Sequence, residues 1–138
     1  MPNAITLADA ITTELNATSF SQAFSATREY SPVFALQDTD ALTVVVVPVT
    51  RESSMISRAA DAVIYGVQVG VLYKFANEIS CDNLLSLCEE IADHFRKKTL
   101  ASIYFCTERI IDPLFDAEWI VDNKQFASII TLKFKVLG

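Results

Sequence analysis

Leu7, Ala8, Ile11 and Leu15 recur at steps of three and four residues, while Asp9, Thr12, Thr13 and Asn16 fall mostly off that stripe. The spacing predicts an amphipathic helix over about residues 7–16. Thr6-Leu7-Ala8-Asp9 has the separation at which a hydroxyl caps an orphan amide and an acid reaches back, which puts the helix start at Thr6. The period then changes to alternation. Phe24, Ala26, Arg28 and Tyr30 interleave with Ser25, Thr27 and Glu29, as in a strand that stops at Pro32. Leu42, Val44 and Val46 alternate with Thr43, Val45 and Val47. Nearly all are β-branched and apolar, so this second strand is expected to be covered on both faces and to end at Pro48.

Residues 50–60 carry Arg51, Glu52, Ser53, Ser54 and Arg58 without a clear period, and read as a polar loop or a projecting hairpin tip. From 62 to 75, Val63, Tyr65, Val67, Val69, Val71, Tyr73 and Phe75 make one apolar face, opposite Ile64, Gly66, Gln68, Gly70, Leu72 and Lys74. A run of this length is more than twice an ordinary strand and predicts a hairpin arm reaching past the body of the sheet. Leu84, Cys88, Ile91, Ala92 and Phe95, widened by Leu85 and Leu87, are the stripe of a second helix. Ser80 is its expected N-cap, with Asp82 in the first turn and Arg96-Lys97-Lys98 in the last, both favourable to the helix dipole. Residues 103–107 read as a short strand, Asp112-Pro113 as a turn, and 126–136 as a closing strand with Phe126, Ser128, Ile130, Leu132, Phe134 and Val136 on one face. The expected fold is therefore α+β: one domain over residues 1–138, an antiparallel β-sheet of four to five strands with two α-helices packed on it, and a long β-hairpin arm.

The length of 138 residues suits a single core, and a composition 51% hydrophobic with only 3 Gly and 4 Pro excludes disordered and low-complexity classes. Charged residues make up 20%, below the roughly 25% of an average soluble chain, which leaves apolar surface to be buried against partners. A net charge of -6 gives no general attraction to nucleic acid or anionic lipid. That charge is uneven: residues 1–95 hold 4 basic and 12 acidic side chains, whereas 96–138 hold 7 and 5. Met1-Pro2-Asn3-Ala4 opens without a basic stretch and no apolar run is long enough to span a bilayer, so a protein soluble and intracellular at synthesis is expected, with no membrane partner.

Candidate chemistry is sparse. Cys81, Cys88 and Cys106 are odd in number and lack metal-site spacing. His94, the only histidine, lies about 240° round the helix from Cys88, so the two share no metal, and it reads as a solvated side chain beside Glu90. Glu89, Glu90 and Asp93 have the spacing of a solvated helix face, Asp93 pairing with Lys97. No glycine-rich phosphate loop exists; Gly66 and Gly70, inside a strand, point to a twist or to close approach of another backbone. No cofactor, metal or catalytic residue is expected.

Taken in order, several motifs resemble the tail terminator, or tail completion, proteins of long-tailed bacteriophages. They are the opening helix with Ile11 and Leu15, Phe24-x-Ala26-x-Arg28-x-Tyr30-x-Pro32, Leu42-x-Val44-x-Val46-x-Pro48, and Tyr65-x-Val67-x-Val69 with Tyr73. The helix with Leu84, Leu87, Glu90 and Ile91, then Asp112-Pro113-Leu114-x-Asp116, then Phe126-x-Ser128-x-x-x-Leu132 complete the set. The resemblance implies a non-enzymatic virion protein of the tail or neck, assembled in the host cytoplasm. Such a subunit forms a homohexameric ring that caps the tail tube protein and joins it to the head connector, or stopper, while viral DNA passes the acidic lumen without specific binding. A closing ring needs heterologous contacts, for which the arm is the candidate through Arg51, Glu52, Met55, Ile56, Arg58, Tyr65 and Tyr73. Head-completion proteins of the phage neck are the alternative within the class. A small cytoplasmic ligand-binding or enzymatic α+β domain is the alternative outside it, and predicts a deep polar pocket where a ring predicts a broad apolar edge.

Overall fold

The computed structural model describes residues 3–20, 24–29, 43–58, 60–74, 78–96, 98–100, 103–111 and 125–137. Its elements are α1 (Ala4–Ala17), β1 (Ser25–Arg28), β2 (Thr43–Ser57), β3 (Ala60–Lys74), α2 (Glu78–His94), β4 (Thr99–Leu100), β5 (Tyr104–Ile111) and β6 (Gln125–Leu137). They build an α+β fold with one six-stranded sheet in the order β1-β2-β3-β6-β5-β4. The sheet is mixed, not purely antiparallel as expected, because β1 pairs in parallel with β2 through Ala26 and Val44. Fourteen residues separate the two strands, enough for the crossover that a parallel pair requires and a tight hairpin cannot supply.

Both helices cover one face of this sheet. Leu7, Ala8, Ile11 and Leu15 of α1 and Leu84, Leu87, Cys88, Ile91 and Ala92 of α2 join Tyr65, Val67, Val69, Val71, Ile130, Leu132 and Phe134 in a single core. The two-residue period of β3 and β6 puts these sheet residues on the same side, with Val67 opposite Leu132 and Val69 opposite Ile130. Phe95 meets Phe134 edge to face with centroids 6.1 Å apart, and Tyr65 meets Tyr104 at 6.2 Å. Each such fully buried side chain contributes about 1.5–3 kcal/mol. Val45, Val47, Leu72 and Ile129 are buried on the second face, so the inner part of β2, Val44 to Val47, is covered on both sides as its β-branched run implies.

Helix ends differ from the expected ones. Asn3, not Thr6, caps α1: its Oδ1 accepts the Thr6 amide at 2.7 Å, and Thr6 lies inside the first turn. Ser80 lies within α2, which begins at Glu78 and ends at His94. Arg96 and Lys98 therefore fall beyond the last turn, in a tight reversal held by Lys98 N–H to Phe95 C=O at 3.1 Å. Lys97, the turn at Asp112-Pro113 and the ends of the first expected strand, Tyr30 and Pro32, lie outside the described residues.

Pro48 does not end β2. The strand continues to Ser57, with a register shift between Pro48 and Thr50 that leaves Val49 as an extra residue. Proline fits there because Val46, two residues earlier, turns its carbonyl towards Glu29 beyond β1. Pro48 directs its nitrogen to the same side, past the end of β1, where no ladder donor is needed. The close approach expected at Gly66 is real, but the approaching group is a side chain: a Cβ on Gly66 would collide with Oγ1 of Thr50, its cross-strand partner.

Candidate assembly surface

Residues 50–57 are the outer half of β2, paired with β3 as far as Ser57 and Ala60, so the segment forms a hairpin tip and not a loop. Nor does the arm stand free. β6 accompanies β3 from Lys74 to Ala62, where Leu137 is the partner, which leaves only the tight turn and the first residues of β3 beyond three-stranded support. On the other side of β2, β1 stops opposite Val46. Among the described residues no strand flanks β2 from Val47 onward.

The proposed contact residues divide along this arm. Arg51, Glu52, Met55 and Arg58 are exposed, Met55 to 75%. Ile56 belongs to β2, but its side chain lies outside the described ones. Tyr65 is only 2% exposed and Tyr73 is half-buried against the core, because both sit on the helix-covered face of β3. Tyr65 therefore acts from beneath: its ring supports the Arg51 guanidinium, 5.9 Å from the centroid, across the strand pair. The sequence pattern missed a neighbour of this pair. Ala4, Ile5, Pro48, Val49, Thr50 and Arg51 line an open cleft of about 290 Å³ between the start of α1 and the bulge of β2. Ile5 and Val49 are each 50% exposed there. Ile5 precedes the predicted helix and Val49 follows the proline that was expected to close the strand, so neither belonged to a recognised stripe.

A second exposed apolar set lies on the opposite side of the sheet. Ile103 before β5, and Phe105 and Ile110 within it, are all exposed, with Glu108 and Lys135 beside them. Glu108 pairs with Lys133 at 3.6 Å.

The residues with chemical potential are otherwise engaged. His94 is not solvated beside Glu90: its Nε2 lies 2.8 Å from Glu14 Oε1, and its ring contacts Phe20 and Phe95. Thr18 Oγ1 lies 3.4 Å from the same Nε2 and donates to the Glu14 carbonyl at 2.8 Å. A catalytic relay would place acid and hydroxyl on opposite ring nitrogens. Here both meet Nε2, which makes the group a clasp between helices. Burial pushes the Cys88 thiol up to about 11 against the opposing hydrogen bond from Ser128, and burial likewise raises Cys106, so neither is a ready nucleophile. Among the described residues no cluster of three or more His, Cys, Asp and Glu could hold a metal ion, and no helix is long and apolar enough to cross a membrane.

Neither a protein-family model nor a curated protein matches the sequence. A solved structure does match the fold. A chain of the virion of a native gene transfer agent particle superposes with a TM-score of 0.52 at 9% identity, covering 96% of this chain and 95% of that one. At that identity the likeness is one of fold, and it embraces both helices and the sheet together.

Proposed function

We propose that the protein is a structural component of a tailed-phage virion: a tail terminator whose copies close into a hexameric ring, cap the tail tube and join it to the head connector. The observation that carries this reading is the agreement of fold, over 96% of this chain, with a chain of a gene transfer agent virion. It is consistent with the ordered motifs from Ile11 to Leu132 and with the exposed arm and the shallow, mostly apolar cleft beside Ile5 and Val49 that the described residues form. Such a subunit works by geometry. Its ring stops tube growth by occupying the last subunit positions, and its net charge of -6 disfavours adhesion of DNA passing the lumen. Its place is the virion neck, reached from the host cytoplasm during assembly.

The reading is tested by removing the coding sequence from the particle that carries it. Tails longer than normal and unattached to heads, restored to normal by the wild-type chain in trans, are the expected result. Normal-length tails without heads would move the protein to the head-completion step, and normal complete particles would overturn the reading.

A further inference from the structure

We infer that the tip of the arm, Met55 with Asp61 beside it, seats in the cleft of a second copy of this chain, against Ile5, Val49 and Arg51. The inference deepens the ring reading and rests on it. Met55 is 75% exposed, and its cross-strand partner Asp61 is exposed on the same face of the hairpin. Among the described residues this pair stands clear of the neighbouring strands. β6 ends at Leu137 opposite Ala62, one position short of Asp61, and β1 stops opposite Val46. An unbranched thioether side chain adapts to an irregular apolar hollow, and Ile5, Pro48 and Val49 supply one in an open cleft of about 290 Å³.

Charge and reach argue for a copy of the chain as the occupant. Among the described residues Arg51 is the only charged side chain lining the cleft, and its contact is with the Tyr65 ring, 5.9 Å from the centroid. Asp61 accompanies Met55 at the tip, whereas Arg58 lies beyond the Ser57–Ala60 pair, at the turn. Neither Arg51 nor Asp61 has an ion-pair partner among the described residues. Seating Met55 in the cleft therefore brings an acid without a partner to a base without one. A chain cannot fill its own cleft, because Val49 and Met55 lie six residues apart on one continuous paired strand, about 20 Å at the rise of a β-strand. Tip and cleft are different patches, so successive copies meet head to tail, the heterologous contact that closes a ring when the rotation permits.

The test is the mass of the intact chain by sedimentation, alone and with purified tail tubes, with circular dichroism confirming the fold. Arg51→Glu and Asp61→Arg should each weaken self-association about tenfold or more, since like charges then meet, and the double variant R51E/D61R should regain it. Met55→Ser should lose it, while Glu89→Lys, on the exposed face of α2, should leave it unchanged. Under mild oxidation a mixture of M55C and I5C chains should give a disulfide-linked pair with one chain of each kind, which the wild type under the same treatment does not form. An oligomer indifferent to Met55, Arg51 and Asp61, or one that the double variant fails to recover, overturns this contact while leaving a ring in place. A photo-crosslinker attached at M55C that captures the tube protein and no second copy overturns it too, and assigns the tip to that partner. A wild-type chain that stays monomeric both alone and with tail tubes overturns the ring reading and the contact with it.

Discussion

His94 Nε2 lies 2.8 Å from Glu14 Oε1, and Lys98 Nζ reaches the same oxygen at 2.8 Å, so one carboxylate ties the last turn of α1 to the end of α2. The three side chains come from segments about eighty residues apart and are all partly shielded from solvent. Glu14→Gln keeps the size and removes the charge. It should lower stability by about 1 kcal/mol, the scale of a partly exposed ion pair, measured by urea unfolding at neutral pH.

The same carboxylate predicts a pH dependence. The hydrogen bond from Lys98, then that from His94, hold Glu14 below its ordinary value of 4.5 against the opposing effect of burial. A carboxyl whose pKa falls on folding contributes stability that is fully present above its unfolded value and is lost as pH falls through the lowered folded value. The stability difference between wild type and E14Q should therefore shrink between pH 6 and pH 3. A difference that stays constant over that window would show that the clasp does not depend on the carboxylate charge.

Gly66 and Thr50 form a second coupled pair, since a Cβ at 66 would strike Thr50 Oγ1. Gly66→Ala, ordinarily favourable inside a strand, should here cost about 1–2 kcal/mol through overpacking. In a Thr50→Ala background the same change should be close to neutral or stabilising. Equal effects in the two backgrounds, read from a double-mutant cycle, would remove the steric account.

Tyr104 is fully buried, and its hydroxyl meets the Asn3 backbone twice, accepting from N–H at 3.0 Å and donating to C=O at 3.3 Å. The residue that caps α1 is thereby fixed to β5. Tyr104→Phe and Asn3→Ala should each cost about 1 kcal/mol, with less than additive loss when combined. Additive losses would mean that the cap and the phenol act independently.

These pairs show where the sequence was readable. The stripes Leu7-Ile11-Leu15 and Leu84-Cys88-Ile91 and the alternation Tyr65-Val67-Val69 recur at periods that only one backbone geometry can bury, and they fall in the core as expected. Pro48 misled because its meaning depends on tertiary position. Proline breaks a central strand and is harmless at the point where a neighbouring strand has just ended. The parallel pairing of β1 was hidden for a similar reason, since alternation reports which face is buried and not the direction of the partner. Ser80 and Thr6 had the chemistry of caps, but Asn3 lay closer to the real start of α1, and Glu78 opens α2 two residues before Ser80. On the arm, Arg51, Glu52, Met55 and Arg58 were legible as an exposed set. The cleft formed with Ile5 was not, because it depends on where α1 sits against the bulge of β2.

The arm itself yields a functional prediction. Arg51 and Arg58 are exposed, and loss of the Arg51–Tyr65 contact should cost about 0.5–1 kcal/mol, too little to unfold the domain. Replacing both with Ala should cut the yield of complete particles while far-ultraviolet circular dichroism stays unchanged. Normal particle yield from that double variant would exclude a contact role for the tip of the arm.

The central claim is that copies of this chain associate with one another at the end of a tail tube. The most direct measurement is the mass of the wild-type protein alone and after incubation with purified tail tubes. A ring mass of six subunits, bound once per tube at a single end, is the predicted result. A strict monomer that leaves the tubes unbound would contradict it.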